Sequence, residues 1–287
     1  MLDPDRYDDV AETFDRYSER TGFPITECLM EMTQVNCGQH VLDVACGSGI
    51  VTRRAVAIVG GTGVAIGIDL SPGQIRVAKQ KAQEIGASSE DFIVMDAMNL
   101  TFPANRFDVV VAQFPHFPSR QRCIGKMVRV LKPGGRFAIG NGGGGAPTWP
   151  LKNAPTPAEI PKGGVVDNLF RSCLEEHFPQ LIARPAGNAP AKTTHPQVSL
   201  RNELEQAGLD EIALWSYAYT SPFYVAEEAF EWESLRMSLY RMRHAELDPE
   251  KVVAFKADYL DGAQEKLNLH GVLGLTTGAL FGTGAKP

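Results

Sequence analysis

Between residues 40 and 141 the chain alternates two rhythms. Short apolar runs, "HVLDVA", "GVAIGIDL", "DFIVMDA", "RFDVVVAQF" and "RFAIGN", are separated by longer stretches whose apolar residues recur three and four apart, "GIVTRRAVAIVG", "SPGQIRVAKQKAQEIG" and "SRQRCIGKMVRVL". The first kind reads as strands buried on both faces and the second as amphipathic helices. Strands alternating with helices predict an α/β fold, a parallel sheet covered on both faces. Ser71 is the expected N-cap of the second of these helices, with Pro72 at its first position and Gly86 at its end. "KPGG" at 132–135 is an expected turn.

Outside this stretch the rhythm changes. Val10, Phe14 and Tyr17 predict a helix over about 5–20, and a second helix is expected around 24–34. Residues 142–198 open on "GGGGAP" and are rich in proline, with one helical pattern, "VVDNLFRSCLEEHF", inside. A segment this long in a compact domain usually serves as a functional lid or insert. Regular structure resumes with a helix over 199–209, a strand in "EIALWSYAYT", helices near 225–244 and 248–268, and a last strand in "GVLGLTTGALFGTGA". Adjacent strands without a long crossover at this end predict one antiparallel edge strand. The expected division is a helical N-terminal cap over 1–39, a ligand-binding core over 40–141, an insertion or lid over 142–198, and a return to the core sheet over 199–287 with a helical cover at 222–268.

Composition narrows the class. With 287 residues and 44% hydrophobic content the chain can bury a sizeable core. No apolar run reaches the ~18 residues of a membrane span, and the polar N-terminus carries no secretory pattern. A net charge of −6 without a long basic run argues against a nucleic-acid partner. The five cysteines are odd in number, irregular in spacing and lack a Cys-x-x-Cys pair. That suits a reducing cytoplasm better than a disulfide framework, and no metal site is expected.

The chemistry concentrates where the first strand opens into a turn, "VLDVACGSGI". Three readings compete: a tight turn that binds nothing, a dinucleotide site, and an S-adenosylmethionine site. A dinucleotide fingerprint wants glycine or alanine where "GSGIVT" has Thr52. Asp43 lies inside the strand before the turn, where a dinucleotide fold needs no acid. Asp69 ends the second strand, and Asp96 ends the third in "VMDA". A row of carboxylates along the crevice of an open sheet suits ribose hydroxyls, an amine and positive charge, and repels a pyrophosphate.

At this point "VLDVACGSG", "GIDLSPGQIRVAK", "VMDA", "FDVVVAQF" and "RVLKPGGRFAI" resemble the successive motifs of class I S-adenosylmethionine-dependent methyltransferases, in particular the ubiquinone/menaquinone-methyltransferase-like branch of small-molecule enzymes. The resemblance covers about 40–140 and returns more weakly at "ELEQAGLDEIAL" and "ALFGTGAKP". The family's turn is usually Asp/Glu-x-Gly-x-Gly-x-Gly, and Ala45 stands in its first glycine slot. The resemblance implies a Rossmann-like sheet of seven strands with one antiparallel. It implies that Asp43 and the backbone at Ala45, Gly47 and Gly49 hold the methionine portion, that Asp69, followed by Leu70, holds the ribose, and that Asp96 with Ala97 holds the adenine. Gln113 and Phe114 would border the methyl group, and Tyr17 would close over the cofactor. Cys46 reads as a small residue filling the turn.

Methyl transfer from a sulfonium is an in-line displacement, in which alignment supplies much of the rate and a base matters only for a protonated nucleophile. His116, in "QFPHFPSR" after the fourth strand, is the candidate base; a loop-surface histidine is the competing reading. "QFPHF" matches the Asn/Asp-Pro-Pro-Tyr motif of amine methylation poorly. His177 and His195 lie in or beside the insert and would reach the pocket if the insert is a lid; solvent-facing is the favoured reading for each. Trp149, Phe170, Trp215, Tyr217 and Tyr219 would line an apolar acceptor pocket or pack a core, with the core favoured for Trp215. Phe230, Trp232, Leu235, Leu239 and Tyr240 form a partly apolar face that would complete the pocket or a dimer seam. The expected activity is methylation of a small, largely apolar metabolite, at oxygen first, by a monomer or homodimer. A methyltransferase-fold enzyme catalysing a cyclisation or rearrangement, or a non-catalytic subunit, are the alternatives.

Overall fold

The computed structural model describes residues 5–88, 91–143, 160–182 and 196–287. A short turn of helix α1 (Asp5–Asp8) precedes the long α2 (Ala11–Thr33). The core then runs β1 (His40–Val44), α3 (Ile50–Val59), β2 (Val64–Asp69), α4 (Pro72–Glu84), β3 (Phe92–Val94), β4 (Phe107–Gln113), α5 (Arg120–Val130) and β5 (Leu131–Gly142). After it come α6 (Leu169–His177), α7 (Pro179–Ile182), α8 (Pro196–Gln206), β6 (Asp210–Phe223), α9 (Ala226–Arg236), α10 (Ser238–Arg243), α11 (Pro249–His270) and β7 (Leu273–Ala285).

The sheet has seven strands in the order β3-β2-β1-β4-β5-β7-β6. β1 to β5 pair in parallel, and β7 pairs antiparallel to β5 through Arg136↔Ala285 to Gly142↔Ala279. The antiparallel pairing therefore lies towards one edge, with β6 outside β7 as the edge strand itself. Gly140 pairs with Phe281, and a β-carbon on Gly140 would lie 2.8 Å from that ring. Gly282 plays the same part for α8, since its β-carbon would lie 2.8 Å from Leu204. The "KPGG" turn is absorbed into β5, where the pairing with β4 jumps between Phe107↔Leu131 and Val109↔Arg136.

Two helices expected at the N-terminus are one. α2 continues through Pro24, whose missing N–H removes an internal bond. The neighbouring segment is buried, with Ile25, Cys28 and Leu29 at 0% exposure, so packing outweighs that loss. α2 lies against α3, α4, β4 and β5.

The chain divides into two compact units. The first comprises Met1–Ala154, Thr194–Ala218 and Gly278–Pro287, and the second Pro155–Thr193 and Tyr219–Thr277. In the first, Leu42, Val44, Ile66, Ile68, Val110 and Ala112 of the sheet pack with Ile124, Met127 and Val128 of α5 and with Leu200 and Leu204 of α8. In the second, the ring of Phe170 meets those of Phe230, Tyr240, Phe255 and Tyr259 at 5.1–5.8 Å. Core packing is thus the part played by Phe170, Phe230 and Tyr240. Trp149 and His195 lie outside the described residues, as does the side chain of Leu239.

Candidate active site

The turn after β1 is built from left-handed backbone. Ala45, Gly47 and Gly49 have φ of 61°, 53° and 87°. Ala45 adopts a conformation that costs a β-carbon some strain. Gly49 has no alternative, because a β-carbon there would lie 2.6 Å from the Phe92 ring. Cys46 N–H donates to Ile68 O at 2.9 Å, which clamps the turn to β2. The Cys46 thiol is buried and held well above its ordinary pKa by desolvation, then by Asp43 and Asp69. It is a filler of the turn, as the sequence suggested.

The acids step outward along adjacent strands. Asp43 pairs in register with Gly67, two residues before Asp69, and Asp69 pairs with Val94, two residues before Asp96. Residues two apart in a strand share a face. Asp43 is 1% exposed, and its Oδ2 accepts the Thr52 hydroxyl at 2.7 Å. Its Oδ1 is buried and has no hydrogen-bond partner among the described residues. Burial, opposed by the Thr52 bond and reinforced by the charge of Asp69, pushes its pKa up to about 7. Thr52, which departs from the dinucleotide fingerprint, therefore has its own function here: it holds the acid. Gly67 makes room for it, since a β-carbon there would lie 2.5 Å from the Thr52 hydroxyl.

Asp69 organises the backbone. Its Oδ2 accepts Gly47 N–H and its Oδ1 accepts Ser71 N–H, both at 2.9 Å. Burial raises its pKa, while the backbone donors at Ser71, Gly47 and Leu70 oppose the rise. Three backbone donors still leave one of the carboxylate's roughly four lone-pair sites for a ligand. Leu70 beside it is 50% exposed. Asp96 is exposed, and its Oδ1 accepts Met98 N–H at 2.8 Å, capping the short turn Ala97–Asn99.

The other expected residues divide. Gln113 Oε1 accepts the Thr26 hydroxyl at 3.0 Å, so its amide turns towards α2. Phe114 sits at φ 51° with its N–H donating to Gly140 O at 2.7 Å. Tyr17 is 2% exposed on α2, with the Arg16 and Arg20 guanidinium groups 5.9 and 5.4 Å from its ring centroid. His116 is exposed on the loop after β4, its ring edge-on to Tyr7 at 5.7 Å. His177 belongs to the second unit, where its Nε2 lies 2.6 Å from Asp258 Oδ2.

Sequence reasoning missed two participants. Asp8 of α1 places Oδ1 on the Ser71 hydroxyl and on Gly73 N–H. Arg53 of α3 is 8% exposed and donates to Ser48 O in the glycine turn and to Glu19 of α2 at 2.8 Å. "TRR" marks an arginine there, but nothing local says that it points inward.

A methyltransferase-domain family model matches residues 41–135. Aklanonic acid methyltransferase DauC from Streptomyces sp. (strain C5) is 30% identical over 176 residues, which is 61% of this chain and 76% of DauC. The chain belongs to the S-adenosylmethionine-dependent methyltransferase family. Its cofactor is S-adenosylmethionine. A second relative of this methyltransferase, the ubiquinone/menaquinone biosynthesis C-methyltransferase UbiE of Ectopseudomonas mendocina (strain ymp), is 36% identical over 113 residues, 38% of this chain and 44% of UbiE. The chain thus matches under half the length of that enzyme. Among solved structures, the 4+2 cyclase SpnF covers 92% of this chain and 80% of its own at 22% identity and a TM-score of 0.51. The YcgJ protein of Bacillus subtilis covers 91% and 98% at 16% identity and 0.50. At such identity these two show the shared fold.

The methyltransferase's residues fit its cofactor. The buried Oδ1 of Asp43 needs a donor, the Asp69 oxygens have capacity for more, and a ligand bearing hydroxyls, an ammonium and a sulfonium offers donors and positive charge.

Proposed function

We propose that this enzyme transfers a methyl group to a small, largely apolar metabolite in the cytoplasm, with oxygen as the first acceptor atom. The observation that carries the reading is the stepped pair Asp43 and Asp69 beneath a left-handed turn, one with a buried oxygen that has no hydrogen-bond partner among the described residues. Five unpaired cysteines suit a reducing compartment. DauC, named for an organic acid, and UbiE, named for quinone synthesis, both support a small organic acceptor.

S-adenosylmethionine supplies an electrophilic methyl on a positively charged sulfur. In this reading Asp43 and the backbone at Ala45, Gly47 and Gly49 receive the methionine end. Asp69 and Leu70 receive the ribose, Asp96 and Ala97 the adenine, and Gln113 and Phe114 border the methyl. Tyr17, on α2, closes over the cofactor. His116 takes the proton of a hydroxyl acceptor, and Tyr7 against its ring limits where the imidazole turns. The second unit, with the insertion that leads into it, selects the acceptor.

The test is calorimetric titration with S-adenosylmethionine and S-adenosylhomocysteine, beside Asp69→Ala. Micromolar binding abolished by the substitution supports the site, and absence of binding by the folded wild type overturns it. Acceptor candidates are then screened for a product heavier by one CH2. A carbon acceptor is the second reading, favoured by the name of UbiE. Methylation of a substrate whose hydroxyls are blocked would select it.

A further inference from the structure

Asn141 lies near the carboxyl end of β5, half-buried, and pairs with Leu280 of β7. Its Nδ2 is buried and has no hydrogen-bond partner among the described residues. Ile139, two residues earlier, shares its face of the strand. Ile139 and Leu280 are both buried in the apolar core, and neither side chain can accept a hydrogen bond. An amide nitrogen carries two donors. Burying them without an acceptor is costly, and a ligand oxygen would relieve it.

The position of this amide says which ligand it meets. Gln113 pairs with Gly140, so Asn141 stands one residue beyond that pair, at the carboxyl ends of β4 and β5. Phe114 is its counterpart on β4, fastened by the N–H that bonds Gly140 O at 2.7 Å. Phe114 holds φ at 51°, a conformation that a bulky side chain rarely adopts and that clusters at functional sites. Open α/β sheets bind their ligands outside the carboxyl ends of the strands. In the order β3-β2-β1-β4-β5, the cofactor acids belong to the first three strands, and Asn141 lies one strand beyond the Gln113–Phe114 pair that borders the methyl. That is the acceptor's side. The charge changes along the same row. No aspartate or glutamate occurs in the sequence between Asp108 and Glu159. β4, β5 and the segments that leave their carboxyl ends therefore bring no carboxylate there. An ammonium would meet a donor and no counter-charge from them, whereas a carbonyl or carboxylate oxygen would meet the donor it needs.

We infer that Asn141 is an acceptor-binding residue, its Nδ2 donating to a carbonyl or carboxylate oxygen of the methyl acceptor, and that the acceptor is therefore an oxygen-bearing compound and not an amine. This rests on the methyl-transfer reading proposed above and names the class of its substrate. Asn141 fixes one oxygen of the acceptor, and the choice of the acceptor's remaining body stays with the second unit.

The test is titration of the full chain, saturated with S-adenosylhomocysteine, with 2-naphthoate and with 2-naphthylmethylammonium. The two probes share an apolar ring system and differ in the group they present. Wild type should bind 2-naphthoate at least about tenfold more tightly than the ammonium. Asn141→Leu keeps the side chain's size and removes the donor; its affinity for 2-naphthoate should fall about tenfold while that for the ammonium does not fall. Asn141→Asp, which puts a carboxylate in the amide's place, should reverse the preference, a result that a merely structural role would not produce. Equal affinity of wild type and Asn141→Leu for 2-naphthoate, a wild-type preference for the ammonium, or binding of neither probe overturns the inference. Should Asn141→Leu not fold, Asn141→Asp decides, and an unreversed preference there overturns it. Binding of S-adenosylhomocysteine by wild type and its loss in Asp69→Ala keep failure of this inference separate from failure of the cofactor site.

Discussion

At the scale of single residues, Asp43 carries the most consequential environment. Its pKa in the fold, about 7, lies above that of an unfolded aspartate. The protonated form is thus favoured by folding, and that contribution is fully present below about pH 4 and lost as the pH rises towards 7. Cofactor binding runs the opposite way, because the ionised carboxylate attracts a cation. Affinity for S-adenosylmethionine is expected to rise from about pH 6 to about pH 8, with a shallower rise for S-adenosylhomocysteine, which has no sulfonium charge. Asp43→Asn should flatten both profiles, and calorimetry across that range checks it. Gly49 gives a second prediction. Alanine there must hold φ near 87° and push against the Phe92 ring at 2.6 Å. Strain and overpacking together should lower stability by about 2–4 kcal/mol, read from urea unfolding.

At the scale of elements, the joint between α2 and α3 holds the turn in place. Arg53 reaches Glu19 at 2.8 Å and the buried Asp15 at 3.7 Å, and donates to Ser48 O. Arg53→Ala leaves Asp15, 5% exposed, with the Lys81 ammonium at 4.0 Å as its nearer remaining cation among the described residues. Leaving a buried carboxylate with only this more distant partner costs about 2 kcal/mol. The same substitution should weaken cofactor affinity several-fold, because Ser48 lies in the glycine turn. Equal chemical denaturation and binding curves for Arg53→Ala and wild type would remove this joint from the site. These elements also mark what the sequence made legible. Asp43, Gly47 and Asp69 were readable because strand, turn and acid are neighbours in the chain. Ser71 was readable as a cap for the same reason. Asp8 on Gly73 and Arg53 on Glu19 join segments decades of residues apart, and no local pattern announces them. The break expected before Pro24 failed likewise, since propensity is local and the packing of α2 on two strands and two helices is not.

At the scale of the whole molecule, every residue proposed to hold the cofactor falls in the first unit, whose motifs the sequence displayed in order. The second unit has its own logic. Its rings pack around Phe170 and Phe255, and a polar seam runs beside them. Glu233, 1% exposed, receives Arg236 through both oxygens at 2.7 and 3.0 Å. Arg236 also donates to Thr276 O at 3.0 Å, and Thr276 N–H donates to Asp167 at 2.6 Å. Burial holds the Glu233 pKa up, with Arg236 opposing. "EEAFEWE" gave no sign of this, because an acid among acids on a helix reads as a solvated face. Glu233→Ala leaves the half-buried Arg236 guanidinium without its carboxylate and removes a buried side chain, a loss of about 2 kcal/mol. If cofactor binding belongs to the first unit and acceptor choice to the second, that substitution should leave the S-adenosylhomocysteine dissociation constant within about twofold and cut turnover of the identified acceptor by at least about tenfold. An equal loss of cofactor affinity would show instead that the two units share the cofactor site, and the division of labour proposed for them would fall.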